Sequence, residues 1–84
     1  MDGKESNRMK LWGYEKDSEN LIRLKEATFD GTLEELEELI NFLKYVQEEH
    51  MKVAQKTDMC HSHFRDWSSD WNTEDSDFII VTRF

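Results

Sequence analysis

Met9, Leu11 and Gly13 alternate with Lys10, Trp12 and Tyr14, and this period of two predicts a first strand over roughly residues 8–15. Lys16-Asp17-Ser18-Glu19-Asn20 is a turn cluster. From Leu21 to Phe29, Ile22 and Leu24 share one face while Ala27 and Phe29 take the other. That phase switch at Lys25-Glu26 predicts a bulge or strong twist in a second strand, with the two strands forming an antiparallel hairpin.

The period then changes to that of a helix. Leu33, Leu36, Leu39, Ile40, Leu43, Val46 and Gln47 follow spacings of three and four, with Phe42 flanking the stripe. Thr32 followed by Glu35 is a capping box, in which the hydroxyl accepts from the Glu35 amide and the carboxylate reaches back. Glu34 and Glu35 suit the positive end of the helix dipole, and Lys52 and Lys56 its negative end. The helix is expected to fade near residues 54–56. Gln55-Lys56-Thr57-Asp58 leads into a third strand, Met59 to about Trp67. An acidic loop, Ser68 to Asp77, precedes a last strand that begins at Phe78 and runs to about Arg83.

These elements predict an α+β fold of order ββαββ. It would be a two-layer sandwich, with a four-stranded, mainly antiparallel sheet and one long helix on one face. Eighty-four residues make a single domain, 1–84, with a polar terminus, 1–7, expected to be disordered. So short a chain buries a shallow core, unsuited to a large catalytic pocket.

Charge adds a direction to this picture. Nineteen Asp/Glu oppose eleven Lys/Arg, giving −8. The excess lies in residues 26–84, where fourteen carboxylates face five cations. Such a field disfavours nucleic acid and anionic membrane and steers towards a cationic partner, although acidity also simply maintains solubility. The lone Cys60 forms no intrachain disulfide, and no signal peptide or membrane-length apolar run is present. A cytoplasmic protein is the expectation.

Candidate chemistry concentrates in His61-Ser62-His63-Phe64-Arg65-Asp66-Trp67-Ser68-Ser69-Asp70-Trp71. On a strand, His61, His63, Arg65 and Trp67 share one face, and Cys60, Ser62, Phe64 and Asp66 the other. Phe64 and Cys60 make the better core face, which leaves both histidines turned away from the helix. Two imidazoles at this spacing can chelate a first-row metal, with His50 or an acidic-loop carboxylate as a third ligand. An HxH pair alone is a weak motif, so the metal reading is an alternative and no cofactor is expected. A hydrolase would need His61 or His63 as base, Asp66 or Asp70 as orienter, and Cys60 or water as nucleophile. Cys60 faces away from both histidines, and no phosphate-binding glycine loop or nucleophile elbow occurs, so no catalytic residue is assigned.

Trp12, Trp67 and Trp71 exceed what one helix-covered sheet face can absorb. Indoles beside carboxylates suit a protein-binding hot spot, a lid closing one end of the sheet, or a homodimer contact. The expected partner-binding set is His61, His63, Arg65, Asp66, Trp67, Asp70, Trp71, Glu74 and Asp75, joined by Asp77 in the acidic loop. Asp66 belongs to it only if the third strand is already ending there.

Two segments carry a family resemblance. Ala27-Thr28-Phe29-Asp30-Gly31-Thr32, Leu33-Glu34-Glu35-Leu36 and Leu39-Ile40-Asn41-Phe42-Leu43 form the first; His61-Ser62-His63-Phe64-Arg65-Asp66-Trp67 and Asp77-Phe78-Ile79-Ile80-Val81 form the second. Together, over about residues 26–82, they resemble immunity protein family 32 of bacterial polymorphic toxin systems. The first motif is generic for a strand leading into a capped helix, and the second is more particular. Cys60 stands where a small residue or glycine is the family's habit, and the tail Thr82-Arg83-Phe84 also departs from it. The resemblance implies an α+β protein that neutralises a cognate toxin by binding it, without catalysis. The alternatives from the residues themselves are a metal-binding protein and a homodimeric structural module.

Overall fold

The computed structural model describes residues 9–84; the expectation for residues 1–7 lies outside them. The chain is α+β and divides into two compact units, Met1–Asp30 and Gly31–Phe84.

In the first unit, β1 (Leu11–Tyr14) and β2 (Leu21–Leu24) pair antiparallel, Leu11 opposite Leu24 and Tyr14 opposite Leu21. The turn closes with the Ser18 amide donating to the Glu15 carbonyl at 3.0 Å, and Asp17 adopts φ 64°. Aspartate tolerates that left-handed geometry better than most side chains. On one face the Arg23 guanidinium lies 5.7 Å from the ring centre of its cross-strand neighbour Trp12. On the other, Gly13 leaves room for Leu24, whose Cδ1 would lie 3.0 Å from an added Cβ. The expected bulge is absent. β2 stops at Leu24, so the phase switch at Lys25-Glu26 marks its end, since β1 is only four residues long and offers no further partner.

The second unit begins with the capping box. Thr32 is extended (φ −82°, ψ 170°), its Oγ1 accepts from the Glu35 amide at 3.1 Å, and its own amide donates to Glu35 Oε1 at 2.8 Å. Helix α1 (Leu33–Val53) follows for 21 residues and ends slightly before the expected 54–56. Its buried line is Phe42, Val46 and His50, one residue per turn. The interior thus runs through the residue expected to flank the stripe, and Leu33, placed in the stripe by its spacing, is 81% exposed.

Opposite the helix, β3 (Met59–His63) pairs antiparallel with β4 (Ile79–Arg83), Cys60 opposite Thr82 and Ser62 opposite Ile80. Between them lies α2 (Phe64–Trp67), a single helical turn. The four-stranded sheet is therefore corrected to two two-stranded ribbons, and α2 interrupts the ββαββ order. β3 stops at His63 rather than Trp67 for a packing reason. Residues three apart point to opposite faces on a strand but to neighbouring positions on a helical turn. The turn lets Phe64 and Trp67 both reach Phe42, with ring centres 5.2 and 5.6 Å away, and each other at 5.9 Å. The Ser68 amide closes it by donating to the Phe64 carbonyl at 2.9 Å.

Candidate functional site

Strand parity in β3 sorts its side chains. Ser62 faces the helix, where its Oγ lies 2.9 Å from His50 Nε2, while Thr82 Oγ1 lies 2.7 Å from His50 Nδ1. Both nitrogens of a buried imidazole are thus satisfied by hydroxyls, which can donate or accept as the ring requires. His50 is a core residue on the face opposite His61 and His63, which corrects its candidacy as a third metal ligand. Its i+8 spacing from Phe42 is the signal in the sequence that could have found it.

His61 and His63 project to the outer side, ring centres 5.6 Å apart and nearly perpendicular, at 77°. His61 is exposed and His63 half-buried. His63 Nδ1 donates to Asp77 Oδ2 at 2.6 Å, and Asp77 Oδ1 accepts from the amides of Arg65 and Phe78, each at 2.9 Å. Burial is the largest influence on the Asp77 carboxyl and pushes its pKa up. The hydrogen bond from His63, the two amides and the nearby His63 charge act the other way, and the balance falls below the usual carboxylate value. Asp77, expected in the docking surface, ties the end of the acidic loop to the start of α2.

The outer face of the ribbon pairs His61 with Val81 and His63 with Ile79. Met59, Ile79 and Val81 are 43, 45 and 48% exposed, so this face mixes apolar groups with imidazole. Beside it, Tyr45, His61, Ser62, His63, Asp66 and Trp67 line an open cleft of about 220 Å³. That is smaller than the ~300–1,000 Å³ typical of small-molecule sites. Tyr45 is the member the sequence did not indicate, because its place on α1 lies off the apolar stripe; its ring centre is 6.2 Å from that of Trp67.

The expected site residues separate into two groups. Arg65, Asp66, Asp70, Glu74 and Asp75 are exposed. Asp66 meets its condition, since β3 has ended before it; Arg65 Nε lies 3.9 Å from Asp66 Oδ1 and 3.8 Å from Asp77 Oδ2. Asp75 Oδ2 also accepts from the Asn72 amide at 3.1 Å, and the Glu74 amide donates to Asn72 Oδ1 at 2.8 Å, which shapes the loop. The two tryptophans are half-buried. Trp67 packs in the aromatic cluster on Phe42, as a lid would, while Trp71 donates from Nε1 to the Ser76 carbonyl at 2.9 Å. Arg65 and Trp67 do not continue the histidine face, because they sit on α2.

Cys60 is half-buried. It shares Ser62's parity and so faces away from both histidines. Among the described residues, no group of three or more His, Cys, Asp or Glu is placed to hold a metal ion, and no helix is long and apolar enough to cross a membrane. Comparison of the chain with protein-family models, curated proteins and solved structures finds no match.

Proposed function

We propose that this chain is a non-catalytic binding protein that captures a basic protein, and that it acts as an immunity protein neutralising a cognate bacterial toxin. The observation that carries the binding reading is the exposed outer face of β3 and β4. There Met59, His61, Ile79 and Val81 offer apolar and imidazole contacts; Asp66 shares the cleft beside His61 and His63, and Asp70, Glu74 and Asp75 are exposed on the loop that leads to β4. A face of this composition suits a protein contact, with apolar anchors and an adjoining carboxylate. Gly31–Phe84 holds twelve Asp/Glu against five Lys/Arg, so it attracts a cationic surface and accelerates the encounter. The toxin as partner rests on the resemblance of the quoted motifs alone.

The test is growth rescue. Co-expression of the chain with the effector encoded beside it restores growth on this reading. Val81→Asp combined with Asp70→Lys abolishes that protection while leaving the far-ultraviolet circular dichroism unchanged. An unaltered chain that gives no protection refutes the immunity reading, and protection that survives the double change refutes the site.

A further inference from the structure

Helix α1 carries a second apolar stripe that the interior covers only in part. Leu33, Leu36, Ile40 and Leu43 remain 81, 40, 43 and 40% exposed. Their spacing of three, four and three is that of the a and d positions in a heptad seam, and the stem of Gln47 extends it. The charged residues flanking this seam on one side are Glu37 and Lys44, seven residues apart at equivalent positions. Among the described residues neither takes part in a salt bridge within the chain.

We propose that this stripe is a homodimer seam, in which α1 packs antiparallel against α1 of a second copy about a two-fold axis midway between Ile40 and Leu43. In this register Ile40 meets Leu43 of the second copy, and the reverse contact follows by symmetry. Leu36 lies against the stem of Gln47 across the seam. Glu37 stands opposite Lys44 of the second copy, and this pair also occurs twice. The occupant is argued from that self-complementarity. A parallel pairing would set Glu37 against Thr32 and Lys44 against Leu39 of the second copy and leave both charges unpaired. The seam lies on a different side of α1 from the line that packs on β3 and β4, so it leaves the proposed partner-binding face free. The inference does not depend on that function.

The experiment is sedimentation equilibrium of the full chain from low to high micromolar concentration, with four variants. The unaltered chain shows a concentration-dependent dimer. Ile40→Glu abolishes it while preserving the circular dichroism, since that side chain is part-exposed in the monomer. Glu37→Lys and Lys44→Glu each weaken it about ten-fold by placing like charges face to face twice. The exchange carrying both changes recovers the original affinity. A chain that stays monomeric throughout overturns the proposal, as does a dimer that Ile40→Glu leaves intact. A double exchange no tighter than the single reversals overturns it equally, because a dimer using another register, or this stripe covered by another occupant, would behave so.

Discussion

Asp77 offers the sharpest test of how this small fold is held. Its carboxylate accepts from His63 Nδ1 and from the Arg65 and Phe78 amides, joining β3, α2 and the entry to β4 through one side chain that is 18% exposed. Taking about 1 kcal/mol net for each hydrogen bond, Asp77→Ala removes roughly 3 kcal/mol. That is a substantial share of the roughly 4–13 kcal/mol expected for a chain of this length. Asp77→Asn keeps one oxygen for the amides and loses the charge on His63, so about 1 kcal/mol is expected. The sign with pH follows from the depressed carboxyl: its stabilisation is complete above the ordinary aspartate value near ~3.9 and is lost as pH falls through the lower folded value. Urea unfolding followed by tryptophan emission measures both effects, because Trp67 and Trp71 flank this region. The gap between the unaltered chain and Asp77→Asn should be full at neutral pH and narrow on acidification below about pH 4. An Asp77→Ala variant within about 0.5 kcal/mol of the unaltered chain, or a gap that does not change with pH, refutes the reasoning.

Two further perturbations address the interior. Phe42→Ala removes the fully buried ring that Phe64 and Trp67 pack against. It should cost about 3–5 kcal/mol, read as loss of the cooperative thermal transition. His50→Leu leaves the Ser62 and Thr82 hydroxyls without their imidazole partner. It should cost about 1–3 kcal/mol by urea unfolding, and Ser62→Ala added to it should recover part of that, because an apolar pair no longer strands a polar group.

Local physics made much of this chain legible. The capping box needs only Thr32 and Glu35 three residues apart, and both hydrogen bonds form as the spacing requires. The alternation of His61 and His63 against Cys60 and Ser62 placed both histidines on the outer side, because strand parity is fixed by backbone geometry. The acidic excess needs no structure at all.

Other features depended on partners far along the chain. Periodicity cannot say which edge of a wide apolar arc faces inward, and the choice of Phe42, Val46 and His50 over Leu33 and Ile40 was made by what β3 and β4 present: two hydroxyls and an aromatic turn. The end of β3 at His63 was missed, although Phe64 and Trp67 stand three residues apart, the spacing of a helical turn and not of a strand. That spacing lets both rings bury together on Phe42, a partner more than twenty residues earlier in the chain. Nor did sequence foretell that Asp77, one carboxylate among many in an acidic loop, would be spent on the fold. Element types and surface charge were thus written in neighbouring residues, whereas the composition of the interior, the strand ends and the fate of each polar group were settled by long-range packing, which alone determines what a side chain meets.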